Sequence, residues 1–166
     1  MLLCLMAWMQ IFLMVIDFSI DEFLGGKLKI KQPQRGYRAG IDPVLLAASV
    51  NASKGDNILE LGCGVGVASL CLAKRVAGLN IYGVEIQSDY AALATENSQL
   101  NSMDLNVVSA DIGRLPDSVK QIQFDHVMAN PPYFERLAST MSFNRGRDAS
   151  RIPVSYTHLT LPTNCV

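Results

Sequence analysis

The residues best suited to chemistry are Asn130-Pro131-Pro132-Tyr133. The Asn130 side chain offers an oxygen acceptor. The Pro131 carbonyl offers a second, with no N–H on its own nitrogen to compete, so two acceptors converge on one point and suit an NH2 group. Prolines fix φ, which preorganises both acceptors. Tyr133 adds a flat amphipathic ring that can stack on a base, an interaction worth roughly 1–3 kcal/mol. The same four residues, taken alone, also read as a strand-to-turn connection with a Pro-Pro stop and an incidental Asn.

Such a loop needs a rigid element behind it. Phe124, Val127, Met128 and Ala129 are apolar enough for a buried parallel strand over 124–129, and the prolines end it because they cannot donate to a sheet ladder. The loop then sits at the carboxyl edge of a sheet, where open α/β folds bind ligands. Asp125 reads as a strand-entrance residue. His126 reads as a satisfied core histidine, not a catalyst.

A second informative stretch stands upstream. Asn57 to Leu61 (NILEL) reads as a buried strand running into Gly62-Cys63-Gly64-Val65-Gly66, followed by a helix over about 67–76. Glycines permit positive φ and close backbone approach, and the amides that open the helix can face a ligand's polar groups. The spacing is GxGxG, not the GxGxxG of dinucleotide binders, and position six is Val67. Glu85 ends the next apolar strand, Ile81 to Val84, about 20 residues on, where a carboxylate can accept ribose hydroxyls. Both NAD and S-adenosylmethionine carry that ribose. A helix capped by Ser88 or Asp89 runs to about Asn101, and a short strand from Asn106 to Val108 delivers Asp111, which can accept an adenine amino group or cap a turn before Gly113.

The remaining chain supplies context. With 166 residues, net charge −1 and 49% hydrophobic residues, the composition describes one soluble domain without a global basic excess. Cys4, Cys63, Cys71 and Cys165 lack metal-ligand spacing and read as small residues in a reducing compartment. Met1 to Ile16 is almost wholly apolar. It lacks the leading charge and cleavage site of a signal peptide and falls short of a spanning helix. From Asp21 the chain turns basic, with Lys27, Lys29, Lys31, Arg35 and Arg38. Leu28 and Ile30 alternate with lysines in the period of a half-exposed strand, which fits either a phosphate-contacting surface or a lysine-protected edge. Asp42-Pro43 reads as an N-cap and first helical residue, opening an apolar helix to about Val50.

The series LELGCGVG, VEIQ, SADI and NPPY resembles class I S-adenosylmethionine-dependent methyltransferases. NPPY resembles the branch that methylates adenine N6 or a glutamine amide, and DEFLGGKLKIKQPQRGYRAGIDPVLLAA resembles the bacterial tRNA(Val) adenine-N6 methyltransferases with a small-methyltransferase domain. The resemblance implies a Rossmann-like, doubly wound parallel α/β sheet and S-adenosyl-L-methionine as cofactor. Glu60, Gly62, Gly64 and Gly66 would line the cofactor loop, Glu85 would hold the ribose and Asp111 would read the cofactor adenine. Asn130, Pro131, Pro132 and Tyr133 would hold the target amine and base. Lys29, Lys31, Arg35 and Arg38, with Arg136, Arg145, Arg147 and Arg151 beyond NPPY, would flank the site and meet phosphates of a tRNA. No metal is expected, and the place of action is cytoplasmic.

The same resemblance divides the chain into an apolar leader (1–19), the methyltransferase segment (20–151) and a tail (152–166). Of the seven strands in the class I sheet, ordered 3-2-1-4-5-7-6, about four are readable before Arg151. The tail PVSYTHLTLPTNCV resembles a translated vector or adapter sequence, so the chain is expected to be a fragment with an exposed, aggregation-prone strand edge, weakly active or inactive. If complete, it would be a monomer. Alternatives are a protein-glutamine N5 methyltransferase of the release-factor type and a nonenzymatic fragment that binds nucleotide-like ligands.

Overall fold

The computed structural model describes residues 17–131. Expectations that fall on 1–16 and on 132–166, including Pro132, Tyr133, Arg136, Arg145, Arg147 and Arg151, lie outside the described residues.

The chain opens with a hairpin of β1 (Phe18–Phe23) and β2 (Leu28–Pro33), antiparallel from Phe18↔Pro33 to Phe23↔Leu28. β1 begins before the expected boundary at residue 20. The alternation in β2 is as expected: Leu28 and Ile30 are fully buried and Lys29 between them is exposed. A lone two-stranded ribbon is marginal in water; this one is held from the side by helix Ser88–Leu100, introduced below.

Helix α1 (Asp42–Ser49) follows. Asp42 is not its N-cap: that position is Ile41, Asp42 and Pro43 lie within the first turn, and no side chain caps the helix. The Asp-Pro pair has moved one place inward, because the ring is equally tolerated where the first N–H groups have no intrahelical partner.

The main sheet is parallel, in the order β5-β4-β3-β6, from β3 (Asn57–Leu61), β4 (Asn80–Glu85), β5 (Asn106–Ser109) and β6 (His126–Ala129). Crossovers run through α2 (Val67–Arg75), α3 (Ser88–Leu100) and, between β5 and β6, a 3₁₀ turn (Ile112–Arg114) and α4 (Asp117–Lys120). This is the doubly wound α/β class, with the strand arrangement 3-2-1-4. Among the described residues β6 pairs on one side only, with β3.

Two apolar layers hold the sheet. The larger joins Ile58, Ile81 and Met128 to Leu70 and Leu72 of α2, Leu93 of α3, Ala47 of α1 and Leu28 and Ile30 of the hairpin. Each such fully buried aliphatic contributes about 1.5–3 kcal/mol of transfer free energy. The opposite face is thinner: Leu59, Val84, Val119 and Phe124, with Tyr82 meeting Phe124 edge to face at 5.6 Å between ring centroids. Phe124 thus precedes β6, which starts at His126 and not at 124. Asp125 makes the entrance, accepting the Asn57 N–H at 2.8 Å while its own N–H donates to the Asn57 carbonyl. His126 is half-buried, 3.3 Å from Asp56.

Candidate active site

All four parallel strands end at one edge, and their register fixes what stands there. Leu61 pairs with Val84 on one side and Ala129 on the other, and Glu85 pairs with Ser109. The next residues leave the sheet in one row: Asn130 beside Gly62, Gly62 beside Glu85, and Glu85 one step from Ala110-Asp111. Three strand spacings of about 4.8 Å make the row about 14 Å long. A nucleoside with a short side chain has that reach.

The glycine loop between β3 and α2 takes φ of +71° at Gly62, +55° at Gly64 and +85° at Gly66, all in the region that favours glycine. Its start folds back over β4, where the N–H groups of Gly62 and Cys63 both donate to the Val84 carbonyl at 2.8 and 3.0 Å. The glycines differ in what surrounds them. A Cβ on Gly62 or Gly64 would meet no atom within 4 Å, so both present bare backbone to open space. At Gly66 it would lie 3.1 Å from Leu105 Cδ2 and 3.4 Å from Ala94 Cβ, so this buried glycine serves close packing of helix against loop.

Two buried carboxylates flank the loop. Glu85 binds it directly: one oxygen accepts the Gly64 N–H at 2.9 Å and the other accepts the Gln87 N–H at 2.9 Å. Each oxygen keeps a second acceptor position, which two vicinal hydroxyls would fill. Glu60 lies beneath the start of α2, where one oxygen accepts both the N–H and the hydroxyl of Ser69. Burial pushes its carboxyl up to about 7, against the two Ser69 bonds and with a smaller push from Glu85. Asp111 stands at the end of the row and accepts the Gly113 N–H at 2.8 Å, the turn-capping role that had been the alternative for it.

At the other end Asn130 is half-buried and Pro131 exposed. Asn130 lines a cleft of about 280 Å³ whose other wall is α1, through Asp42, Leu45, Leu46 and Ser49, with Ala129 at its base. Tyr37 stands beside it. The Tyr90 hydroxyl accepts the Tyr37 N–H at 3.0 Å and donates to the Tyr37 carbonyl at 3.2 Å, and burial, then Asp42, then Glu60 push the Tyr37 phenol up. Sequence reasoning passed over Tyr37 and this use of α1; the only signal was a Tyr and an Asp that no local pattern required. A larger cavity, about 430 Å³, lies between the hairpin turn and the C-terminal halves of α1 and α2. Its Lys74 and Arg75 complement the negative end of α2.

The basic residues divide in two. Lys31 pairs with Glu96 at 2.7 Å and sits 4.3 Å over the Phe18 ring, and Arg38 binds Asp21, the Ser19 hydroxyl and the Pro33 carbonyl. Lys31 ties the hairpin to α3, and Arg38 ties the segment after β2 back onto the hairpin. Lys29 and Arg35 are exposed. Cys63 and Cys71 are buried free thiols, and burial pushes Cys63 well up and Cys71 to about 11. Among the described residues no group of three His, Cys, Asp or Glu could hold a metal ion, and no helix is long and apolar enough to cross a membrane.

Comparison with known proteins gives the chain's family and fold. The chain is 34% identical over 123 residues to the tRNA1(Val) (adenine(37)-N6)-methyltransferase of Glaesserella parasuis, covering 73% of this chain and 50% of that protein. With the same enzyme of Photorhabdus laumondii the figures are 33% over 141 residues, 83% and 57%. The chain thus spans about half the length of these curated relatives. Among solved structures, Pyrococcus abyssi tRNA (uracil-54, C5)-methyltransferase superposes with a TM-score of 0.56 at 23% identity, over 69% of this chain and 28% of that one. The Thermus thermophilus 16S rRNA N2 G1207 methyltransferase gives 0.55 at 19%, over 71% and 33%. At such identities these two speak to the fold alone. Residues 39–145 match the methyltransferase small domain, and the chain belongs to that family.

Proposed function

We propose that this chain forms the cofactor-binding and amine-positioning part of an enzyme that transfers a methyl group from S-adenosyl-L-methionine to the exocyclic N6 amine of adenine in tRNA. The observation that carries the reading is the shared level of Asn130, Gly62 and Glu85 at the ends of three adjacent parallel strands. The open backbone at Gly62 and Gly64, at the strand ends beside Glu85, leaves room for the cofactor to approach the main chain. The names of the adenine-N6 relatives supply the substrate.

When bound, the cofactor supplies an already activated sulfonium methyl. What remains for the chain is alignment, and holding two reactants in near-attack geometry can supply about 7–11 kcal/mol of the barrier. Gly62 and Gly64 receive the cofactor's polar backbone and Glu85 takes the ribose hydroxyls. The Asn130 oxygen and Pro131 carbonyl accept from the two amine hydrogens. This turns the nitrogen lone pair out of ring conjugation toward the methyl, and stabilises positive charge as it forms. A loop adenine must leave its stack to enter the cleft, as RNA recognition commonly requires. Exposed Lys29 and Arg35 then meet phosphate.

The test is transfer of labelled methyl to total tRNA, with Asn130→Ala as control. Label in N6-methyladenosine that disappears in the control is expected. Label in a release-factor glutamine and none in tRNA would replace the substrate.

A further inference from the structure

The Asn130 amide oxygen and the Pro131 carbonyl accept hydrogen bonds but are too weakly basic to take up the proton that a methylated amine must lose. The cleft supplies a group that can. Among the described residues that line it, Asp42 is the one carboxylate, and it stands on the wall across from Asn130. Its position in the first turn of α1, without a capping bond, leaves its oxygens with no hydrogen bond or ion pair among the described residues. The neighbouring wall is apolar: Leu45, 60% exposed on the domain surface, and Leu46. Tyr37 lies near enough to Asp42 for the carboxylate to act on its phenol.

We propose that Asp42 is a further catalytic residue, the carboxylate that stabilises the cationic amine formed on methyl transfer and accepts its proton. This rests on the methyl-transfer reading above. The nitrogen lone pair forms the N–C bond as the C–S bond breaks, and that bonding pair stays on sulfur as a neutral thioether. The nitrogen then carries one positive charge. One of the two N–H groups then leaves the exposed Pro131 carbonyl for Asp42; its N–H bond breaks, the electrons remain on nitrogen, and the proton passes to an Asp42 oxygen and from there to water, which reaches this exposed residue.

The experiment compares Asp42→Asn, Asp42→Glu and Asp42→Ala with the unaltered protein, reading kcat for tRNA methylation and the affinity for S-adenosylhomocysteine. Expected are a kcat loss of about 100-fold in Asp42→Asn and Asp42→Ala, the low end for a positioned general base, and partial recovery in Asp42→Glu. Acetate in the assay restores part of kcat to Asp42→Ala and none to Asn130→Ala, an effect no folding defect imitates. Unchanged homocysteine-product affinity separates this role from anchoring of the cofactor's ammonium, which substrate and product share. Full kcat in Asp42→Asn overturns the proposal, as does loss of S-adenosylhomocysteine affinity without acetate rescue. If the protein extended to the full length of its relatives also labels no amine, the methyl-transfer reading fails, and this inference fails with it.

Discussion

Asn97 on α3 holds Lys31 on β2 as a neighbouring strand would: its side-chain oxygen accepts the Lys31 N–H at 2.7 Å and its amide nitrogen donates to the Lys31 carbonyl at 3.0 Å. One turn on, Asn101 repeats the pattern with Lys29 at 2.9 and 2.8 Å. Two asparagines spaced i, i+4 on a helix thus match alternate residues of a strand. Asn97 also donates to the Val65 carbonyl at 2.9 Å, which ties the hairpin to the glycine loop.

Asn97 is fully buried, so Asn97→Leu strands the Lys31 and Val65 groups away from water. Each unsatisfied group costs about 1–3 kcal/mol, and a loss of about 3 kcal/mol or more is expected. Asn101→Ala, at a half-exposed position, loses under about 1 kcal/mol. Urea midpoints for the two variants check the order, and equal midpoints would remove Asn97 as the tie.

Two of the loop glycines predict opposite phenotypes. Gly62→Ala meets no neighbour, and its φ of +71° imposes about 1–2 kcal/mol of strain. Cofactor affinity should fall much more than stability does. Gly66→Ala adds contact with Leu105 and Ala94 to the same strain, and stability should fall first. Calorimetric binding of S-adenosylhomocysteine beside thermal melts separates them.

Gly83 on β4 makes room for Cys63, whose sulfur would lie 2.8 Å from a Cβ there. Gly83→Ala overpacks a buried contact and should cost about 1–3 kcal/mol. Combined with Cys63→Gly, part of that loss returns, because the two changes share one clash. Strict additivity in the double-variant cycle would refute the contact.

Glu60 sets a pH dependence. Its carboxyl, pushed by burial from 4.5 to about 7, binds a proton more readily folded than unfolded. The stabilisation is therefore fully present below about 4.5 and is lost as pH rises through about 7, up to about 3 kcal/mol across that window. Glu60→Gln should flatten this part of the stability curve and lie above the unaltered protein at pH 8. A cationic cofactor reverses the preference, so binding near pH 6.5 should release protons, measurable as a dependence of binding heat on buffer ionisation.

What the sequence made legible is what local pattern determines. The run NILEL into three glycines, and VE closing the next strand, needed only apolar runs and glycine chemistry, and the strands stand where those residues put them. Pairings between distant positions stayed hidden. No apolar alternation marks Phe18–Phe23 as the partner of β2: exposure does alternate along it, but Ile20 faces out and the half-buried place beside it is taken by Asp21, held by Gln32 and Arg38. Asp42-Pro43 reads as a cap, yet the chain enters α1 one residue earlier and leaves the carboxylate facing the Asn130 cleft. Phe124 extends the apolar run but turns to Tyr82 on the thin face, shortening β6.

The cations make the last prediction. Lys31 and Arg38 are engaged, with Glu96 on α3 and Asp21 on β1, whereas Lys29 and Arg35 are exposed. If tRNA crosses this face, Lys29→Glu and Arg35→Glu weaken binding and each lowers the salt dependence of log K by about 0.7–0.9, the contribution of one phosphate contact. Arg38→Ala removes the bonds to Asp21, Ser19 and Pro33 and should lower the melting temperature, with a smaller change in salt slope. Filter binding of tRNA across a salt series, beside melts of each variant, gives both readouts. A salt slope that moves with Arg38 and not with Lys29 or Arg35 would place the RNA on another face of the domain.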